Sequence, residues 1–211
     1  MPRSAVKSVA LHYQRNAARL ARTYLDLSFE AVHAPLLSDL PQPGARIGDV
    51  GAGAGRDAYA LAERGYKVVA IEPSAEMRRA GQASDVGERV DWINDALPAL
   101  AQVRSTVRPF DFVLCSAVLM HIPPADLAEA LDALRAVAAP GAFVAITLRL
   151  ERSDDPPNVF YNYALATITA AAARANLDLV ESGTNSDLLD RPDAVWTWCV
   201  FRAVKERLFV S

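Results

Sequence analysis

The sequence predicts an α/β protein built of βαβ units around a mostly parallel sheet. Strand and helix signals alternate from about residue 45 to residue 150, which is the pattern of parallel strands joined by crossover helices. The strand-like segments are near-continuous apolar runs, such as Lys67–Glu72, as expected of strands covered on both faces. Between the first strand and the first crossover helix lies a turn with Gly51, Gly53 and Gly55 at alternate positions.

The first 40 residues read as helices, with Val6, Val9, Tyr13, Ala17 and Leu20, and then Phe29, Val32, Leu36 and Leu40, at helical spacing. Pro41 and Pro43 end that region. The first strand is predicted over 46–50 and its helix over 56–64, with Gly65 as the stop. Ser74 suits an N-cap for a helix over 75–82. Further strands are predicted over 90–93 and 111–116. A helix follows over 126–138, carrying Leu127, Leu131, Leu134 and Val137 on one face and stopped by Pro140-Gly141. A fifth strand over 142–149, a polar loop over 151–158, an alanine-rich helix over 160–175 and strands over 177–182 and 195–203 complete the chain.

A length of 211 residues fits one domain with a full core. Hydrophobic residues at 52% place the chain among globular proteins. No apolar run reaches the roughly 18 residues of a membrane span, and Met1-Pro2-Arg3-Ser4 does not start a secretory leader. Net charge is −3, and the arginines are scattered rather than clustered, so nucleic acid is not the expected partner. Cys115 and Cys199 lie in apolar segments and read as buried thiols of a reducing compartment, which predicts a cytoplasmic location. His12, His33 and His121 stand at no ligand spacing with them, so no metal is expected. Trp196 and Trp198 alternate with Cys199 and Phe201 and read as core or interface.

Spacing within the glycine turn narrows its ligand. A dinucleotide fingerprint places a small residue where Arg56 stands, to let helix and strand pack closely, and arginine does not allow that. A phosphate loop needs a Gly-Lys-Ser/Thr sequence that is absent. What remains is D-x-G-x-G-x-G, with Asp49 at the strand end, which suits a ligand carrying positive charge. Glu72 stands 21 residues after Gly51, at the distance where an acid holds a ribose. Asn94-Asp95-Ala96-Leu97 follows the third strand, and Ser116-Ala117-Val118-Leu119-Met120-His121 follows the fourth.

Together with Glu72-Pro73-Ser74 and Ile146-Thr147-Leu148-Arg149, these segments resemble the class I S-adenosylmethionine-dependent methyltransferases. The chain is similar to small bacterial members of the ubiquinone-biosynthesis and tellurite-resistance type, over about residues 28–183. The resemblance implies a Rossmann-like three-layer αβα sandwich with a seven-stranded, mostly parallel sheet closed by an antiparallel C-terminal strand. It implies one domain over 1–211: a helical lid over 1–43, a cofactor-binding core over 44–150, and a substrate-side helix and strands over 151–211. Gly48 departs from the family, which prefers a large aliphatic residue there, and local underpacking of the first strand is the expected result. The chain also lacks the Asp/Asn-Pro-Pro-Tyr/Phe sequence of methyltransferases acting on bases or glutamine.

By that resemblance the cofactor is S-adenosyl-L-methionine. Its expected contacts are Asp49, Gly51, Ala52, Gly53, Gly55, Arg56, Asp57, Glu72, Pro73, Ser74, Met77, Asn94, Asp95, Ala96, Leu97, Ser116, Ala117, Val118 and His121. Glu72 is expected on the ribose, Asp95 on the adenine amino group or closing an Asx-turn, and Arg56 on the cofactor carboxylate. His121 is either a general base or a packing residue. Tyr13, Tyr24 and Arg149 are the candidate acceptor contacts. The expected reaction is methyl transfer to a small-molecule O, N or S atom by a monomer or homodimer. The alternatives are an NAD(P)-dependent oxidoreductase and a non-catalytic S-adenosylmethionine-binding module acting through a protein partner.

Overall fold

Strands with both faces buried set the architecture. The protein is seen here as a computed structural model that describes residues 27–84, 88–153, 155–156, 159–189, 191 and 194–204. The strands are β1 (Arg46–Val50), β2 (Lys67–Ile71), β3 (Val90–Ile93), β4 (Phe110–Ser116), β5 (Ala138–Arg149), β6 (Leu177–Ser186) and β7 (Val195–Ala203). They form one seven-stranded sheet in the order β3-β2-β1-β4-β5-β7-β6. β1 to β5 pair in parallel, and β7 pairs antiparallel with both β5 and β6. Strand order therefore reverses between β1 and β4, and ligands bind in the crevice at such a point, beyond the carboxyl ends of the strands.

Helices cover both faces, making the three-layer αβα sandwich. α1 (Phe29–His33) and α2 (Arg56–Glu63) lie on one face, where Phe29, Leu36, Ala58 and Leu61 pack on Ile47, Phe112, Leu114 and Val200. α3 (Ala75–Ser84) brings Gly81 against the indole of Trp92. On the opposite face α4 (Ala101–Thr106), α5 (Leu127–Val137) and α6 (Leu165–Arg174) bury Val103, Leu131, Leu134, Ile168 and Ala172 against Val113, Cys115, Ile146 and Phe201. α5 buries Leu127, Ala130, Leu131, Leu134 and Val137, the period of a one-sided helix. Both cysteines are buried and unbridged, and burial raises both thiols, Cys199 to about 11. Among the described residues no helix is long and apolar enough to cross a membrane.

The structure shifts several boundaries for identifiable reasons. The stretch predicted as one helix over 29–40 is a single α-turn followed by a 3-10 helix over Ala34–Asp39, because Pro35 has no N–H to continue the α ladder. β5 begins at Ala138 rather than 142, since Ala138 pairs with Phe110 and a register shift before Phe112 absorbs Pro140-Gly141. α6 begins at Leu165 rather than 160. Residues 159–163 instead run across the loop after β4, where the Tyr161 N–H donates to the Met120 carbonyl at 2.7 Å and the Tyr163 hydroxyl donates to the Ile122 carbonyl. α4 has no counterpart in the sequence reading.

The expected underpacking at Gly48 is not found. A Cβ on Gly48 would lie 2.6 Å from Phe110 Cδ2, so the fully buried Phe110 ring occupies the space a side chain would take. Gly48→Val is accordingly expected to destabilise by about 1–3 kcal/mol through overpacking. Urea unfolding measures this, and Phe110→Leu in the same background should restore part of the loss. An unchanged midpoint in Gly48→Val would show that the strand accommodates the added methyls.

Candidate functional site

One large cavity, of about 950 Å³, opens at the β1/β4 switch point. Its wall takes in the loops after β1, β2, β3 and β4, residues of the 27–36 segment, and the ends of β5, β6 and β7. Cavities of this class hold small molecules and cofactors, and this one stands near the upper end of their size range of about 300–1,000 Å³.

Parallel pairing delivers the first half of the wall. β1 and β2 run in register, with Val50 opposite Ile71, so the glycine turn and Glu72 emerge side by side. Gly53 has φ +58, and the nearest atom to a Cβ there would be Met77 Cε at 3.8 Å, so bare backbone faces the cavity. Its N–H donates to Glu72 Oε2 at 2.9 Å, while the Ser74 N–H donates to Oε1 at 2.8 Å. Burial raises the Glu72 carboxyl above its ordinary range, opposed by those two N–H bonds and by Arg78. At Gly51 a Cβ would meet Val118 Cγ2 at 2.3 Å, so the loops after β1 and β4 touch where only glycine fits.

Asp95 accepts from the Ala96 N–H at 2.8 Å and from the Val103 N–H at 2.9 Å, closing its own turn and capping the first turn of α4. After β4, Ser116 and Thr147 hydroxyls bond at 2.9 Å, and the Ala117 N–H donates to the Thr147 backbone carbonyl at 2.8 Å. The Nδ1–H of buried His121 donates to the Val159 carbonyl at 2.7 Å, which places the lone pair of the neutral ring on Nε2. Phe160 packs 4.7 Å from the His121 ring.

Most of the expected cofactor positions come together on this wall: Gly51, Ala52, Gly53, Arg56, Asp57, Glu72, Pro73, Ser74, Met77, Asp95, Ala96, Leu97, Ser116, Ala117, Val118 and His121. Asp49, Gly55 and Asn94 lie off it. Tyr13 and Tyr24 fall outside the described residues, as do the first 26 residues of the expected lid. Asp49, expected to contact the cofactor, lies off the cavity wall: the residue is 2% exposed and its Oδ2 has no partner among the described residues. Burial, then the nearby Asp57, raise it well above its ordinary value, with Arg56 opposing. Arg56 faces its own neighbour: Nε and Nη2 bind the two Asp57 oxygens at 2.7 and 2.8 Å. His33 Nε2 lies 3.0 Å from Asp57 Oδ2, tying α1 to the start of α2. Burial alone would raise Asp57, but His33 and Arg56 hold it well below its usual range.

Arg149 is on the wall as expected, but its guanidinium is engaged. It binds Asp155 through Nη1 and Nη2 at 2.7 Å each, donates to the Leu150 carbonyl at 2.9 Å and lies over Phe160 at 4.3 Å. Burial would raise Asp155, and hydrogen bonds from Arg149 and the Arg152 N–H hold it low. The sequence reading missed a second group here, Trp196, Trp198, Asp187 and Arg191, all on the wall. Asp187 accepts from the Trp196 indole at 2.7 Å and from the Arg191 guanidinium. These contacts outweigh burial and keep Asp187 low.

A mostly parallel seven-stranded sheet with a glycine turn and an acidic strand end at its switch point defines a Rossmann-like site for a nucleoside-bearing ligand. Residues 47–141 match the family described as methyltransferase domain. A tRNA 5-carboxymethoxyuridine methyltransferase of Escherichia coli is 28% identical over 152 residues, 70% of this chain and 52% of its own length. A ubiquinone biosynthesis O-methyltransferase of Hahella chejuensis is 36% identical over 104 residues, 47% of this chain and 41% of its own length. The aligned part of this chain thus spans about half the length of these relatives. Among solved structures, the Burkholderia thailandensis 1,6-didemethyltoxoflavin-N1-methyltransferase with bound 1,6-didemethyltoxoflavin and S-adenosylhomocysteine superposes with a TM-score of 0.71 at 18% identity. That match covers 97% of this chain and 91% of the other.

The raised Asp49 carboxyl has a pH signature. An acid with a raised folded value loses stability as pH rises from about 4 toward that value, because ionisation is costlier in the fold than in the unfolded chain. Asn has no such cost, so the thermal stability of Asp49→Asn relative to wild type should improve with pH. The difference in Tm between the two is expected to move in favour of the variant by at least about 2 °C from pH 4.5 to pH 8. Differential scanning fluorimetry across that range is the measurement. A pH-independent difference would place the Asp49 charge in a solvated setting.

Proposed function

We propose that the chain transfers a methyl group from S-adenosyl-L-methionine to a small-molecule acceptor. The observation that carries this is the Glu72 carboxylate, buried on the cavity wall and bonded to the N–H of Gly53 in the glycine turn. Such a carboxylate retains lone pairs for the hydroxyls of a ribose. Gly53 offers backbone with no Cβ in the way, and Asp95, Ala96, Ser116, Ala117 and Val118 line the same cavity. The residues present therefore fit the cofactor.

When bound, that cofactor supplies a methyl already activated by its sulfonium, so alignment is the main requirement. The chain's own part is to fix the acceptor and, for a hydroxyl or protonated amine, to remove its proton. His121 is the proposed base. Its Nδ1–H is committed to the Val159 carbonyl, so Nε2 carries the lone pair that takes the proton. The Escherichia coli relative leaves an RNA acceptor as the second reading.

Glu72→Gln offers one carbonyl oxygen in place of two carboxylate oxygens, and is expected to weaken S-adenosylmethionine binding on the order of 10–100-fold. Gly53→Val should abolish it. Calorimetry on the purified chain reads both, and wild-type protein that binds no cofactor would sink the proposal. For the base, His121→Ala should lower labelled methyl transfer to a small-molecule cell extract by about 100-fold or more at saturating cofactor, with S-adenosylhomocysteine affinity measured in parallel to separate loss of the base from loss of a cofactor contact. Near-normal turnover would leave His121 a packing residue.

A further inference from the structure

The C-terminal strands build a wall that the cofactor reading does not use. Direct cross-strand neighbours share a sheet face. Thr147 on β5, Trp198 on β7 and Gly183 on β6 form one such row, and Arg149, Trp196 and Asn185 form the next. Thr147, Arg149, Trp196, Trp198 and Asn185 all line the cavity. Gly183 explains how Trp198 lies there: a Cβ on Gly183 would come within 2.7 Å of its Cζ2, so the indole is laid flat over β6. The Thr147 and Ser116 hydroxyls bond across to the loop after β4, and His121, Phe160 and Arg149 pack in series. The aromatic wall is thus continuous with the site proposed for the methyl donor and base.

Charge decides what this wall accepts. Each guanidinium at this end already has a carboxylate, Arg149 with Asp155 and Arg191 with Asp187. The side chains of Arg149 and Asp155 are 6% and 10% exposed, and that of Asp187 is 4% exposed. An anionic ligand that took either guanidinium would leave a buried carboxylate unpaired, which is strongly unfavourable. Asn185, beside Trp196, puts a neutral hydrogen-bonding group on the same face.

We propose that the cavity end formed by β5, β6 and β7 is the acceptor subsite, and that it takes an uncharged planar aromatic molecule stacked on Trp198. This rests on the methyl-transfer reading, and it favours a neutral ring over a carboxylate-bearing nucleotide in RNA.

The test is calorimetry on the full chain saturated with S-adenosylhomocysteine, with four probes: 2-naphthol, 2-naphthoate, decahydro-2-naphthol and an anticodon stem-loop RNA. 2-Naphthol should bind, with the saturated and the anionic analogues weaker by about tenfold or more, a loss of about 1.4 kcal/mol each. Trp198→Ala should weaken 2-naphthol by about tenfold, while Trp198→Phe keeps it within about threefold. Both variants should bind S-adenosylhomocysteine as wild type does, which controls for folding. Gly183→Val should weaken 2-naphthol as Trp198→Ala does, by tilting the indole. Naphthoate binding more tightly than naphthol, naphthol binding that ignores Trp198, or binding of the RNA alone would each overturn the inference. Trp198-dependent naphthol binding by a chain that binds no S-adenosylhomocysteine would sink the cofactor reading and leave the subsite standing.

Discussion

The loops that leave β1 and β2 at the carboxyl end of the sheet are organised around one buried carboxylate, that of Glu72. β1 and β2 are in register up to Val50 and Ile71, so the two chain segments leaving them must turn away within a few ångströms of each other. Each leaves backbone N–H groups that the sheet no longer satisfies, and an unpaired buried N–H is costly. Glu72 meets both demands, with one oxygen on Gly53 and the other on Ser74. The charged form is needed for two such acceptors, and burial works against it, which is why the carboxyl is raised while the N–H bonds and Arg78 pull it back. The geometry of the glycine turn and the start of α3 follow from satisfying this one group.

The rest of the cavity is built on the same economy of charge. Asp57 is held between His33 and Arg56, Asp155 by Arg149, and Asp187 by Arg191 and the Trp196 indole. Bidentate guanidinium–carboxylate pairs fix direction as well as distance. These pairs are local, fixing the start of α2, the loop after β5 and the loop before β7, while among these contacts only His33–Asp57 ties α1 to α2. Asp49 is the exception. It lies beneath the turn, near Asp57 and Glu72, with an oxygen that no described group serves, so it sits against the grain of its surroundings.

How much of this was legible in the sequence divides along the same line. The bounds of β1, β3 and β7 match their predicted ranges, because each is a short β-branched or aromatic-rich run set off by turn or polar residues. Glu72 and Asp95 were read as site residues because parallel strands end in the same place, so strand ends in sequence are neighbours in space. Gly48 was misread because its reason is the Phe110 ring, 62 positions away, and no local pattern reports it. Arg56 lines the cavity as expected, and its bidentate bond to Asp57, set by the buried charge of Asp57 and the reach of His33, is the part no local pattern reports. Trp196 and Trp198 read as core or interface, and both do pack partly buried against the core; that they also line the cavity is not legible, because alternation marks which side chains share a face and not what covers it.

The two halves of the cavity therefore differ in kind. The β1–β4 half uses backbone N–H groups, glycines and one acid, all set by where strands stop, and so its signature is local and survives in sequence. The β5–β7 half uses side chains brought together by antiparallel register, Thr147 beside Trp198 beside Gly183, across separations of 51 and 15 positions. A substitution in β6 or β7 alters that surface without moving the strand ends that form the other half, because β7 and β6 are the outer strands of the order and touch β1 only through β5 and β4. Such a fold can keep one ligand fixed while the partner opposite it changes. In this chain the second surface is aromatic and charge-balanced, and it was built by making room, at Gly183, for an indole to lie flat.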